Sequence, residues 1–185
     1  MRIISGKARG CKLFSLDGDN TRPTTDRVKE SMFSMIQFNI FDSTVLDLFA
    51  GSGALGLEAL SRGAAFCDFV EQQKDAADIV AQNIKKSRLD ENARLHNMSA
   101  EQFLKSCNKK YDVVFLDPPY NKGLCVWAVK EIYDKGLISD DGIFVCETSA
   151  DEILPFEGKR KVYGKIAVTV LYCVNFLENN KEETV

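Results

Sequence analysis

Asp117-Pro118-Pro119-Tyr120 brings together a carboxylate, two ring-locked residues and an aromatic face. Proline fixes its own φ and restricts the residue before it, so this turn is stiff. A stiff turn can hold the Asp117 carboxylate and the Pro118 carbonyl pointing one way. Two acceptors in fixed geometry suit a planar NH2 group, which brings two donors. An exocyclic base amine is a poor nucleophile because its lone pair is delocalised into the ring. Accepting both N–H bonds favours pyramidalisation and aims the lone pair at an electrophilic methyl. Tyr120 offers a face on which a base can stack. The plainer reading is that the prolines end a strand and Tyr120 packs.

A second group of residues points to a nucleoside. In Asp47-Leu48-Phe49-Ala50-Gly51-Ser52-Gly53-Ala54-Leu55-Gly56 the glycines let a turn close and let a ligand approach the backbone. Glu71 follows about 20 residues on, where a carboxylate accepts hydrogen bonds from ribose hydroxyls. The spacing Gly51-x-Gly53-x-x-Gly56 suits NAD as well as S-adenosylmethionine. S-Adenosylmethionine has no pyrophosphate to cradle, and its cationic amino-acid end and sulfonium favour nearby carboxylates. Asp47 can meet that end directly or through water, or can simply cap the loop.

These residues need elements to position them. Segments 2–5 and 10–14 read as a hairpin, 17–20 as a turn. A helix is expected over 25–39, capped by Thr24 or Thr25, with Val28, Met32, Phe33, Met35 and Ile36 at helical spacing. Strands are expected at 44–48, 66–70, 93–95, 112–116 and 142–147. Helices are expected from the glycine turn to near Gly63, and at 74–87, 100–107 and 124–135. On the 74–87 helix, Ala77, Val80, Ala81 and Ile84 share one face. Segments 159–162 and 167–174 form a closing hairpin. Strands alternating with helices imply βαβ units and a mostly parallel α/β sheet, with the last two strands as an antiparallel pair at its edge. The loops after Leu48, Val70 and Leu116 then converge at the carboxyl ends of the strands, where the strand order reverses.

Composition excludes several classes. The chain has 185 residues, 45% hydrophobic and 28% charged, as a globular domain would. Its six cysteines are scattered without a CxxC pair and its one histidine is His96. Disulfide frameworks, zinc sites and histidine-based mechanisms are therefore not expected, nor is any metal. No apolar run suits a membrane span or a signal peptide, which points to the cytoplasm. The formal net charge is −3, yet residues 1–30 hold seven cations against four anions. A basic end on an acidic body suits either a phosphate-binding surface or a solvated arm.

With these residues in view, the chain resembles one group closely. Asp117-Pro118-Pro119-Tyr120 is similar to the (N/D)PPY signature of S-adenosylmethionine-dependent amino-methyltransferases. Residues 2–10, 22–33, 46–64 and 114–120, with Tyr163-Gly164-Lys165, extend the likeness to the bacterial 16S ribosomal RNA guanine-N2 methyltransferases. The N-terminal block is the specific part. The resemblance implies a Rossmann-like, seven-stranded class I methyltransferase sheet over 41–176. Residues 1–40 would be an RNA-gripping hairpin and helix, and 177–185 a disordered tail.

The resemblance also implies cofactor contacts from Asp47, Phe49, Ala50, Gly51, Ser52, Gly53 and Glu71, and a base pocket at Asp117, Pro118, Pro119 and Tyr120. After the third strand such enzymes usually carry an acid near the adenine. Here the run is Asn97-Met98-Ser99-Ala100, so Ser99 and Ala100 take that place. Arg2, Lys7, Arg9, Arg22, Thr24, Arg27 and Lys29 are the candidate RNA contacts. The implied substrate is 16S rRNA or a small ribosomal subunit particle, with no obligate protein partner and no metal. Competing readings are a DNA adenine-N6 or protein glutamine-N5 methyltransferase, and a catalytically silent RNA-binding protein on the same fold. The first usually adds a target-reading domain, the second more often carries Asn in place of Asp117, and the third need not keep both loops. An NAD dehydrogenase ranks last.

Overall fold

The computed structural model describes residues 1–15, 26–120 and 122–174. The turn expected at 17–20, the capping threonines, Arg22 and the tail all lie outside the described residues. The chain runs α1 Asp26–Met35, β1 Thr44–Asp47, α2 Ala54–Ser61, β2 Phe66–Val70, α3 Lys74–Ser87 and β3 Ala93–His96. It continues with α4 Ala100–Ser106, β4 Tyr111–Leu116, α5 Leu124–Asp134, β5 Ile138–Ser149, β6 Lys159–Tyr163 and β7 Ile166–Tyr172. A 3-10 turn at Asp90–Asn92, which periodicity had not suggested, leads into β3.

One seven-stranded sheet has the order β3-β2-β1-β4-β5-β7-β6. Strands β1 to β5 pair in parallel, and β7 pairs antiparallel with both β5 and β6. The closing pair does sit at the sheet edge, with β7 tucked inside β6. Each central strand is buried on both faces. In β4, Val113 and Phe115 face the core shared with α1, α2 and α3, while Val114 and Leu116 face α5. This is why such strands read as continuous apolar runs.

Several expectations shift, and helix α1 ends at Met35, short of the expected 39. Strand β5 is longer than 142–147, because Ile138 already pairs with Tyr111 ahead of a register shift. The polar run Ser139-Asp140-Asp141 is carried within the strand. Helix α3 has its expected bounds, but Ala81 is exposed and Asn83 takes a buried place instead. The Asn83 amide donates to Phe14 O and Ser52 O, at 3.0 and 2.8 Å, and accepts from Phe14 N. Lastly, the N-terminal hairpin forms no extended ladder: Arg2 bridges Lys12, and Ile3 N bonds Cys11 O, Gly10 N bonds Ile3 O and Leu13 N bonds Met1 O. The amides of Ile4 and Ser5 turn instead to the Glu58 carboxylate, at 2.8 and 3.0 Å.

That carboxylate organises the whole N-terminal segment. Glu58 is fully buried on α2 and also takes Lys29 Nζ at 3.1 Å and Arg62 Nε at 2.8 Å. Lys29 Nζ in turn donates to Arg2 O at 2.6 Å. Hairpin, α1 and α2 are thereby stitched together, and Ile3, Leu13, Met32 and Phe33 join Val45 and Leu57 in one core. The hairpin lies so close that a Cβ on Gly6 would stand 1.8 Å from Ser61 O, and its φ of +83° already demands glycine.

Candidate active site

Parallel strands ending together leave a crevice where the strand order reverses, here between β1 and β4. A cavity of about 1070 Å³ opens there. Its walls carry Asp47 through Ser52, Val70 and Glu71, and all four residues of Asp117–Tyr120. The three loops expected to converge do so.

The glycine turn is built around two carboxylates. Gly51 and Gly53 take the left-handed conformation, at φ 55° and 78°, which turns the chain from β1 into α2. Glu71 spans the turn: Oε2 accepts Gly51 N and Oε1 accepts Gln73 N, each at 2.8 Å. A carboxylate has about four lone-pair sites, so two remain for ribose hydroxyls. Asp47 sits at the end of β1, and its Oδ2 accepts Gly56 N at 2.9 Å. It therefore braces the loop and also lines the cavity. Burial pushes its carboxyl up to about 7, opposed by the Gly56 amide and reinforced by Glu71.

Beyond β3 the expected residues divide. Ser99 N-caps α4 in a reciprocal capping box with Gln102, its hydroxyl accepting Gln102 N at 3.2 Å. Met98 and Ala100 line the cavity, and Ser99 does not. Met98 was missed because a thioether in a turn carries no polar signal.

The diproline corner follows β4 and lines the cavity with all four of its residues. Pro118 is buried, Pro119 exposed, and Asp117 and Tyr120 partly buried. The Tyr120 hydroxyl donates to Glu147 Oε1 at 2.8 Å, which ties the ring to the end of β5. Glu147 is itself buried. Sequence reasoning missed it, although an acid closing the apolar run Ile143–Cys146 was a usable signal. Burial, Glu147 and Asp47 all raise the Asp117 carboxyl well above the usual carboxylate range. Asp47, Glu71 and Asp117 thus line one cavity, an arrangement that favours a cationic ligand beside them.

The candidate RNA residues separate. Lys7 and Arg9 are exposed at the hairpin tip, where Lys7 N donates to Ser61 O at the far end of α2. Arg27 is exposed on α1, and Arg2 pairs with Asp26 at 2.9 Å. Lys29 has no exposed surface. It cannot reach a phosphate, because its ammonium is spent on Glu58 and the Arg2 carbonyl. Arg22 and Thr24 lie outside the described residues. His96 serves the scaffold: it pairs with Asp68 at 2.8 Å, alongside Lys109 and the Tyr111 hydroxyl.

Residues 1–172 match the model of the family described as conserved hypothetical protein 95. The chain belongs to this family. Ribosomal RNA small subunit methyltransferase D of Escherichia coli K12 is 39% identical over 155 residues, 84% of this chain and 78% of that protein. The solved structure of yhhF from Escherichia coli is 36% identical, with a TM-score of 0.83 over 93% of this chain and 97% of that one. An RNA methyltransferase of Salinibacter ruber, solved with S-adenosyl-L-homocysteine, shares the fold alone, at 13% identity and a TM-score of 0.67 over 82% and 94%. At the level of the family, the resemblance carried by residues 2–10, 22–33, 46–64 and 114–120 is borne out. The family's fold is the Rossmann-like methyltransferase sheet found here.

Proposed function

We propose that the protein transfers a methyl group from S-adenosylmethionine to the exocyclic N2 amine of a guanine in 16S ribosomal RNA. The observation that carries this reading is the meeting, in one cavity, of the Glu71-braced glycine turn and the Asp117–Tyr120 corner. The name of the Escherichia coli relative, ribosomal RNA small subunit methyltransferase D, supports ribosomal RNA as the substrate class.

The residues present fit that cofactor. Glu71 has lone pairs left for the ribose, Phe49 and Met98 give apolar walls for the adenine, and Asp47 suits the cationic amino-acid end. When bound, the cofactor supplies an electrophilic methyl on a sulfonium. Asp117 and the Pro118 carbonyl hold the two N–H bonds of the amine. Held so, the amine would present its lone pair to the methyl that the cofactor supplies. Asp117, with its raised carboxyl, takes up the proton the amine releases. Tyr120, steadied by Glu147, supports the base ring. A guanine amine inside stacked RNA is out of reach, so the base enters splayed from its strand. The protein's contribution is orientation, a term of ~7–11 kcal/mol.

Incubating the protein with labelled S-adenosylmethionine and unmodified small-subunit RNA or particles tests the reading. Nucleoside mass analysis should return N2-methylguanosine. Label in N6-methyladenosine, in protein, or nowhere would overturn it.

Cofactor affinity should depend on pH through Asp47. A carboxyl raised to about 7 is mostly protonated at pH 5.5, and the cationic ligand favours the ionised form. Binding should therefore strengthen as pH rises from 5.5 to 7.5, by about tenfold, since each unit of pKa is ~1.36 kcal/mol. Titration calorimetry reads this directly, and Asp47→Asn should flatten the curve. A flat wild-type profile would remove Asp47 from the ligand's electrostatics.

A further inference from the structure

Among the described residues the cavity has cations on one side only, although acids, Asp117 and Asp151 among them, line both sides. Its β3-β2-β1 side carries Asp47, Glu71 and Glu101. Its only lysines, and the only cations lining it among the described residues, are Lys122 and Lys165. Both stand on the other side: Lys122 in the loop after the diproline corner, Lys165 in the β6–β7 turn. Neither ammonium has a carboxylate partner among the described residues, although Asp151 also lines that side.

The turn that carries Lys165 is well anchored. Gly164 takes a φ of 62°, and Ala150 N donates to Lys165 O at 3.0 Å, fixing the turn to the end of β5. The Tyr163 hydroxyl bonds Ser31 on α1. Beside the turn runs a second groove of about 360 Å³ lined by Arg27, Val28, Val162, Tyr163 and Gly164. Gly164 borders both spaces, so a basic path leads from the base corner past Lys165 to Arg27. The hairpin tip with Lys7 and Arg9 sits instead at the far end of α2, eight residues from the glycine turn. At 1.5 Å per residue that separation is ~12 Å.

We propose that Lys165, with Lys122, is a substrate-positioning cation that takes the RNA phosphates flanking the nucleotide being methylated. The strand then continues along the Arg27 groove. This rests on the RNA reading above. A base drawn into the corner must bring its own phosphates to the mouth on the β4-β5-β7 side, where these two ammonium groups wait. The Tyr163-Gly164-Lys165 motif thereby gains a role: tyrosine anchors, glycine turns, lysine grips. The hairpin-tip cations touch RNA farther away, and add affinity without setting the target's position.

The test compares wild type, Lys122→Gln/Lys165→Gln, Lys165→Arg and the distal Lys7→Gln/Arg9→Gln. Naked 16S rRNA is titrated at several salt concentrations, and single-turnover methylation is followed at saturating RNA. The lysine pair should weaken RNA binding about tenfold and lower its salt slope by about 1.4, at ~0.7 per lost single-strand phosphate contact. It should also slow single turnover about tenfold, with S-adenosylmethionine affinity within twofold and Lys165→Arg largely restored. The distal pair should lose affinity too, with a clearly smaller loss of single-turnover rate than the lysine pair. Normal single turnover and an unchanged salt slope in the lysine pair would overturn the assignment while leaving the RNA reading intact. Absent wild-type turnover on both RNA and particles overturns both.

Discussion

Asp117→Ala is expected to lower methyl transfer about a thousandfold while S-adenosylmethionine affinity stays within threefold, a loss of the size seen when one preorganised electrostatic contact is removed. Alanine removes both the acceptor for one amine N–H and the group that takes the proton. It leaves Glu71 and the glycine turn untouched. Asp117→Asn keeps an acceptor oxygen and should fall less far. Stopped single-turnover assays with labelled cofactor, paired with calorimetry, separate the two quantities. Near-wild-type turnover in the alanine variant would rule out this role for Asp117.

The same site predicts a pH signature. Burial first, then Glu147 and Asp47, raise the Asp117 carboxyl. The ionised form accepts the amine's N–H bonds and its proton, so activity is lost as pH falls through that raised pKa. Glu147→Gln removes one of the charges and should shift the acid limb to lower pH, while its amide oxygen can still receive the Tyr120 hydroxyl.

Glu58→Ala is expected to destabilise the fold by ~3–5 kcal/mol, because it leaves the buried Lys29 ammonium uncompensated. It also orphans the Ile4 and Ser5 amides, which have no ladder partner to return to. For a chain of this size each kcal/mol shifts Tm by ~2–4 °C, so a drop of about 6–20 °C is expected in a thermal melt. The effect should reach the site, since Met1 lines the cavity and the Ser52 hydroxyl lies 3.8 Å from its sulfur. The double variant Lys29→Met/Glu58→Leu should recover part of the loss, because no fully buried charge is then left unpaired and the Arg62 guanidinium still reaches solvent. A melt shifted by less than 2 °C in Glu58→Ala would show that the pair is dispensable.

Much of this protein is legible in its sequence because local rules and global fold agree. Strand β2 and helix α3 fall at their expected bounds. Apolar residues at period two or 3.6 can bury themselves in only one way, and Gly51, Gly53, Pro118 and Pro119 restrict the backbone whatever surrounds them. Alternating strands and helices force a parallel sheet, and a parallel sheet gathers its carboxyl-end loops. The two halves of the candidate site are therefore legible in the sequence.

What the sequence could not reveal depends on partners distant along the chain. Lys29 reads as one more basic residue until Glu58, 29 positions on, is seen to bury it. Ser99 is expected beside an adenine, and the structure places it as the N-cap of α4, off the cavity wall that Met98 and Ala100 line. Glu147 becomes part of the site only because β5 ends beside β4, within reach of the Tyr120 hydroxyl. Charge and polarity are local properties of a residue, whereas the partner that consumes them is set by packing. The sequence thus determined the sheet, the glycine turn and the diproline corner, and the tertiary structure alone decided which of the polar groups stay free to meet a ligand.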